Sequence, residues 1–236
     1  MKEELIHQTG EQESSSSVQK NRLSILIENK GRVIIASCVV LVLAIVGVYF
    51  YNNNQTQKES EASLALSRIR SYVEAGEFEK ALSGDPVKKV RGNEIIGLRL
   101  LVDEYSSTES GKSAALLAGN AEFSLRKFDE AARYFDISKN SSSAMIRLQS
   151  FAGIGACYEL QSKYEDAVNS YEHAIEISAN SGLRDKLLLC TAQCYQKLGN
   201  SEKASKCLRD LIGEFEYSEY LADAKSILSK LGTVVE

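Results

Sequence analysis

The chain has 236 residues, a formal net charge of −4 and 44% hydrophobic residues. This charge balance excludes the strongly basic surface that nucleic-acid binding requires, so we expect no nucleic acid among its partners. A single proline and no tryptophan, together with many helix-forming residues, favour an all-α fold.

The longest apolar run is Val33–Tyr51, nineteen residues without a formal charge. As a helix it would extend about 28 Å, close to the thickness of a bilayer's hydrocarbon core, and it shows no polar stripe. It therefore predicts a transmembrane signal-anchor helix that meets the lipid bilayer through residues 33–51. The alternative is a buried helix of a globular domain.

Basic residues are concentrated on one side of this span. Those that precede it closely are Lys20, Arg22, Lys30 and Arg32, whereas only Lys58 follows at a similar distance. Because cationic flanks stay in the cytoplasm, residues 1–32 are predicted to be a cytoplasmic polar tail at a bacterial inner membrane, with a periplasmic C-terminal domain. A mitochondrial outer-membrane anchor would instead carry its basic residues after the span. Residues 52–60 are interpreted as a polar spacer and residues 61–236 as a helical domain.

The domain opens with a degenerate helix pair over residues 61–106. Apolar residues recur at helical spacing around a turn at Ala75-Gly76, and Gly84-Asp85-Pro86 interrupts the second helix. A further amphipathic helix is predicted over Glu94–Tyr105, and a turn over Ser106–Gly111.

Small and aromatic residues then recur at fixed offsets in units of about 113–140, 148–178 and 185–213. In the first unit they are Gly119, Phe128, Ala131 and Phe135. In the second they are Gly155, Tyr158, Tyr164, Ala167, Tyr171 and Ala174. In the third they are Ala192, Tyr195, Gly199, Ala204 and Leu208. Small residues let paired helices approach and aromatic rings fill the space between them, so these residues are predicted to be packing contacts. A closing apolar run over 217–231 is interpreted as a capping helix.

This pattern resembles the tetratricopeptide repeat (TPR) family. The resemblance implies an α-solenoid of antiparallel helix pairs. With the apolar run and the closing segment, the expected fold is all-α: a single N-terminal transmembrane helix followed by this solenoid and a C-terminal capping helix. The chain departs from the family where a first-helix tryptophan is common, because Ala115, Phe151 and Leu188 stand there. The family's closing proline is also absent from every unit. The order of tail, anchor, spacer and repeats is similar to bacterial envelope proteins that resemble the ancillary TPR subunit of the Sec translocon.

No catalytic motif accompanies the repeats, so we expect no enzyme activity, no cofactor and no metal site. Gly111-Lys112-Ser113 copies the end of a phosphate-binding loop but lacks its first glycine and a preceding strand. Outside the span there are four cysteines: Cys157, Cys190, Cys194 and Cys207. They are expected to be small buried apolar residues, with a Cys194–Cys207 disulfide as the alternative.

The first helices of stacked pairs should form a concave binding face. It is predicted to contain Leu116, Asn120, Phe123, Ala152, Ala156, Glu159, Leu189, Gln193 and Gln196. Repeats that clamp a terminal carboxylate use several Lys, Arg and Asn residues, and Lys186 and Asn120 alone make a weak set. We therefore expect extended or helical protein segments to bind by apolar contacts, without a carboxylate clamp. The face could instead pack against the capping or degenerate helices.

The resulting hypothesis is a membrane-anchored scaffold that binds proteins, with the Sec translocon and envelope chaperones as partners. The alternative is an accessory or regulatory subunit of a membrane enzyme complex.

Overall fold

A computed structural model describes residues 40–90, 92–179 and 181–232 and divides the chain into two compact units, Met1–Thr56 and Gln57–Glu236. In the first unit, residues 40–56 are helical, and every large apolar side chain from Val40 to Tyr51 is exposed. Within the described ranges, no helix combines the length and the apolarity needed to cross a membrane. The predicted tail 1–32 and the first part of the predicted span, 33–39, lie outside the described residues.

The second unit is built mainly from helices that pack against their neighbours in sequence. It opens with helical residues 57–74 (α1). The following elements are α2 Phe78–Ser83, β1 Gly84–Val90, β2 Asn93–Ile96, α3 Leu98–Tyr105, α4 Glu109–Ser124 and α5 Phe128–Ser138. The chain continues with α6 Ala144–Leu160, α7 Tyr164–Glu176, α8 Arg184–Lys197, α9 Ser201–Glu214 and α10 Leu221–Lys230. The predicted all-α solenoid of helix pairs is therefore confirmed, and α10 lies within the predicted capping segment.

The same left-handed turn joins the two helices of four pairs, which are α1–α2, α4–α5, α6–α7 and α8–α9. The residues with positive φ are Gly76 (72°), Arg126 (59°), Ser162 (59°) and Gly199 (74°). Each precedes by five residues a fully buried alanine of the second helix: Ala81, Ala131, Ala167 and Ala204. The N–H of the residue after each turn donates to a carbonyl five residues earlier at 2.9 Å, which is the Schellman ending of an α-helix. This common turn brings each second helix back along its first helix.

Aromatic rings fill the space that glycines leave between helices. A Cβ atom on Gly119 of α4 would lie 2.6 Å from the ring of Phe135, and one on Gly153 of α6 would lie 2.6 Å from the other edge of that ring. A Cβ atom on Gly155 would lie 2.6 Å from the ring of Tyr171. Phe135 and Tyr171 are 1% and 3% exposed, so both rings belong to the core between successive helix pairs.

A carboxylate of one helix pair caps the start of a helix in the next. Glu59 of α1 accepts hydrogen bonds from the backbone N–H groups of Glu109 (2.8 Å) and Ser110 (3.1 Å) at the start of α4. Residues 52–60, interpreted from sequence as a polar spacer, are therefore helical and contribute a cap. The predicted turn over Ser106–Gly111 is also too long, because Thr108 caps α4 and Gly111 is buried inside it.

The same arrangement is repeated farther along the stack. Glu109 of α4 accepts hydrogen bonds from the hydroxyl of Ser141 (2.7 Å) and the N–H of Ser142 (3.0 Å), just before α6. Burial alone would raise the pKa of Glu109, but hydrogen bonds from Lys112, Ser141 and Ser142 lower it to about 2. Asp185 of α8 likewise accepts a hydrogen bond from the hydroxyl of Ser218, before α10.

One element corrects the sequence analysis: β1 and β2 form an antiparallel hairpin inside the predicted degenerate pair 61–106. Gly84 leaves α2 at φ 87°, and Asp85, which precedes a proline, favours an extended backbone. The Asp85 carboxylate accepts a hydrogen bond from the Tyr72 hydroxyl at 2.6 Å, which ties the hairpin to α1. The predicted helix over Glu94–Tyr105 therefore begins only at Leu98.

Candidate functional site

A groove of about 350 Å³ lies among the first helices of three consecutive pairs, α4, α6 and α8. We refer to it as the α4–α6–α8 groove. Its lining is Asn120 and Phe123 of α4; Gln149, Ala152, Gly153 and Ala156 of α6; Lys186, Leu187 and Cys190 of α8; and Phe135, Tyr171 and Leu183. Small side chains on α6 leave room at its centre, and larger apolar side chains stand on both sides.

Two buried rings form the floor of this groove and are held rigidly. Phe135 is enclosed by Gly119 and Gly153, as described above. The Tyr171 hydroxyl donates to the Glu159 carboxylate at 2.7 Å, and burial, followed by the acidic and thiol groups around it, raises the pKa of Tyr171. The floor therefore stays uncharged at neutral pH and supports the partly exposed side chains that line the groove above it.

The structure brings together only part of the predicted binding face. Asn120, Phe123, Ala152 and Ala156 line the α4–α6–α8 groove. Three others, Glu159, Gln193 and Gln196, line a separate cavity of about 330 Å³. The prediction that Leu116 and Leu189 belong to the binding face is wrong, because they are 7% and 6% exposed and pack inside core clusters.

Several residues that line the groove were not predicted from the sequence, although the sequence contains a signal for them. On α6 the lining positions are 149, 152, 153 and 156, and around α8 they are 183, 186, 187 and 190. Both sets follow the spacing i, i+3, i+4 and i+7, which marks one face of a helix. On α6 the predicted residues Ala152, Ala156 and Glu159 follow the same face but begin one turn later. On α8 the predicted residues Leu189, Gln193 and Gln196 follow a neighbouring face.

Lys186 gives the groove its electrostatic character. It is exposed and is the one charged side chain of the groove lining in the described ranges. No described residue forms a hydrogen bond or ion pair with its ammonium group, which can therefore bind an external acceptor. The amides of Asn120 and Gln149 are the exposed uncharged polar groups of the lining, and the Tyr171 hydroxyl is already bonded to Glu159, so most of the lining is apolar.

The four cysteines beyond the predicted span are all free thiols. Cys157 and Cys194 are buried, and the alternative Cys194–Cys207 disulfide is not formed. Burial raises the pKa of Cys157 to about 12 and that of Cys190 to about 11, so both thiols are protonated at neutral pH. Across the described residues, no group of three or more His, Cys, Asp or Glu side chains is arranged to hold a metal ion.

Comparison with known proteins gives the same architecture. Two crystal structures of kinesin light chain TPR-like repeats from Podosopora anserina each give a TM-score of 0.50. They are 17% and 15% identical to this chain and cover 73% of it, and the matches include 86% and 93% of those chains. At these identities the likeness shows the fold alone.

A curated human protein also matches a part of the chain. The intraflagellar transport protein 88 homolog of Homo sapiens is 27% identical over 97 residues, or 40% of this chain. The matched region spans only 11% of that protein's length.

Family models cover the repeats themselves. Residues 148–181 and 188–216 each match a tetratricopeptide repeat, and residues 27–154 match a tetratricopeptide repeat-like domain. This last match extends over more than half of the 236 residues. The chain therefore belongs to the tetratricopeptide repeat-like family.

Proposed function

We propose that this chain is a membrane-anchored scaffold that binds segments of other proteins in the α4–α6–α8 groove. The observation that carries the proposal is the groove itself, which is mostly apolar and about 350 Å³ in volume. Among the residues that the structure describes, Lys186 is the one charged side chain of its lining and has no hydrogen-bond or ion-pair partner for its ammonium group. Repeats of this family bind proteins or peptides. A groove of this size accommodates several side chains of an extended or helical segment.

The composition of the groove defines the type of segment. Phe123, Ala152 and Leu183 are only partly buried and offer apolar contacts, while Asn120 and Gln149 can pair with backbone groups. One lysine is insufficient for the several cationic and amide groups that clamp a terminal carboxylate. The ligand is therefore an internal segment with apolar side chains, and it is bound without a carboxylate clamp.

Membrane anchoring is supported by the apolar run Val33–Tyr51. In its described part, the large apolar side chains from residue 40 to residue 51 are between 44% and 68% exposed. Such a surface on all sides of a helix is unfavourable in water and suits a lipid environment. The basic residues before the run favour a cytoplasmic N-terminus, with the repeats at the outer face of a bacterial inner membrane.

At that location the clients would be polypeptides that cross or fold at the membrane, with the Sec translocon and envelope chaperones as partners. Anchoring would raise the local concentration of the groove near emerging chains without any additional contact. Cleavage of residues 61–236 by protease added to spheroplasts would support this orientation, and protection of the domain would contradict it.

Site-specific photo-crosslinking tests the groove in native membranes. A photoreactive residue at Phe123 or Ala156 is expected to capture protein partners, whereas one at the exposed Glu165 on α7 serves as the control. Ala152→Trp should fill the centre of the groove and abolish capture from Phe123. Equal capture at all three positions, or none at Phe123, would refute the assignment of the groove. Recovery of one stoichiometric enzyme instead of several clients would favour the accessory-subunit alternative.

A further inference from the structure

A second pocket lies between α3, α4 and α5 and has a volume of about 390 Å³. We call it the Glu122 pocket. It shares no lining residue with the α4–α6–α8 groove. Three cationic and three acidic side chains line it: Arg99, Lys127, Arg133, Asp103, Glu122 and Glu130. Tyr134 and Ile137 add an apolar wall.

Glu122 interrupts a regularity of the repeats. In three of the four helix pairs, the residue nine positions before the buried alanine of the second helix is a tyrosine: Tyr72, Tyr158 and Tyr195. A lysine lies over each of these rings, for example Lys163 at 5.7 Å from the ring centre of Tyr158. In the remaining pair, this position holds a carboxylate that is 1% exposed.

The two oxygens of this carboxylate have different surroundings. Oε1 accepts two hydrogen bonds from Arg99, at 2.8 Å and 3.2 Å. Oε2 is buried and receives no hydrogen bond from any described residue. The Lys127 ammonium is 3.9 Å away from Oε2, beyond hydrogen-bond distance, and donates to Glu79 at 3.1 Å. A buried acceptor without a donor is unfavourable, and a ligand that supplies the donor gains that free energy.

The charges of the pocket restrict what that ligand can be. The formal charges of the lining cancel, so neither an anion nor a cation is favoured overall. A ligand cation at Oε2 would lie beside both Arg99 and Lys127 and be repelled by them. A ligand carboxylate would have no proton to donate to Oε2, and any anion placed there would be repelled by the Glu122 charge. An uncharged group is therefore preferred.

The geometry also requires both a donor and an acceptor. Glu122 Oε2 accepts, and Lys127 retains N–H groups beyond the one directed at Glu79. A carboxamide presents an N–H donor and a carbonyl acceptor side by side, which suits a carboxylate and an ammonium 3.9 Å apart. We propose that the Glu122 pocket binds the uncharged carboxamide of an asparagine or glutamine side chain that a partner protein presents. The methylene groups of that side chain pack on Tyr134 and Ile137.

The proposal can be tested with capped amino acids and the full-length chain, by following its ¹⁵N-labelled backbone amides in NMR titrations. N-acetyl-glutamine N-methylamide should give saturable shifts at Glu122, Lys127 and Tyr134. The corresponding glutamate, lysine and homoserine compounds should bind at least about tenfold more weakly. The glutamate and lysine groups are charged, and the homoserine hydroxyl carries its donor and its acceptor on one oxygen instead of on two neighbouring atoms. Free glutamine is titrated in parallel. If it binds more weakly than the capped compound, the carboxamide that the pocket binds belongs to a protein segment and not to a free amino acid.

Two substitutions and one matched control complete the test. Glu122→Gln and Lys127→Met should each weaken binding of the glutamine compound about tenfold. Lys163→Met is the control, because Lys163 precedes α7 as Lys127 precedes α5, but faces Tyr158 instead of a carboxylate. Lys127 is 42% exposed, so its variant should fold even if Glu122→Gln does not. The proposal is overturned if shifts do not saturate, if Lys127→Met binds as the wild type does, or if a charged, hydroxyl or free glutamine probe binds more tightly.

Discussion

The ring of Phe135, held between two glycines on different helices, allows a quantitative prediction. Gly119→Ala or Gly153→Ala would place a methyl carbon 2.6 Å from a ring carbon, whereas favourable contacts between carbon atoms are at about 3.5–4.0 Å. About 1 Å must therefore be gained at either site. The ring cannot simply move, because displacement from one glycine drives it towards the other.

The magnitude follows from two opposing terms. Overpacking a core costs about 1–3 kcal/mol, and the upper part of this range applies because the ring is enclosed on both edges. Replacing a helical glycine by alanine raises the free energy of unfolding by about 0.5–1 kcal/mol. We therefore expect each variant to lose about 1–2 kcal/mol of unfolding free energy.

Denaturant unfolding of the full chain, followed by circular dichroism, measures this loss. Gly213→Ala in α9 is the matched control: no atom lies within 4 Å of its added methyl group, and we expect it to stabilise by up to about 1 kcal/mol. In a Phe135→Leu background, Gly153→Ala should cost less than it does in the wild type. If Gly119→Ala and Gly153→Ala were as stabilising as Gly213→Ala, the close helix approach described here would be wrong.

Three further predictions concern the turns, the caps and the thiols. Ser162→Gly should stabilise the chain by about 0.5–1 kcal/mol in thermal unfolding, because Ser162 has φ 59°, and Gly199→Ser should destabilise it similarly. The pKa of Glu109 is lowered from 4.5 to about 2, so its contribution to stability is present above pH 4.5 and is lost as pH falls towards 2. Glu109→Gln should therefore weaken the dependence of the unfolding free energy on pH between these values. An unchanged dependence would contradict the cap. The pKa values of Cys157 and Cys190 are raised to about 12 and 11, so alkylation of these two thiols at pH 8 should be slow until denaturant is added. Rapid modification of Cys157 or Cys190 in the native chain, detected by mass spectrometry, would disprove this.

The repeat family could be inferred from the sequence because its signal is local and recurs. Offsets such as that from Gly119 to Phe135 reflect contacts within one helix pair, and they return in the next pair. The β-hairpin could not be inferred in the same way. Ile95 and Leu98 fit one helical stripe, yet Ile95 lies in β2 because Gly84 and Asp85 pair with the strand that contains it. For short apolar runs, spacing alone does not separate strand from helix.

The candidate groove was predicted in part for a related reason. Helical spacing indicates that Leu116 and Ala152 lie on apolar faces, but it does not say which of those faces a neighbouring helix covers. Leu116 is enclosed with Phe135 and Ile154, whereas Ala152 faces the groove. The Glu122 pocket was not anticipated, because its only sequence signal is a glutamate at the position that holds tyrosine in three other pairs.

The carboxylate caps of Glu59, Glu109 and Asp185 have a consequence for the shape of the binding surface. Apolar faces tolerate sliding of one helix along another, since many offsets bury comparable area. A carboxylate directed at particular N–H and hydroxyl groups tolerates far less, because a shift of one residue removes its partners. These three polar contacts therefore limit how far the helices they connect can slide along one another. The contact at Glu109 does so for α4 and α6, two of the helices that line the α4–α6–α8 groove.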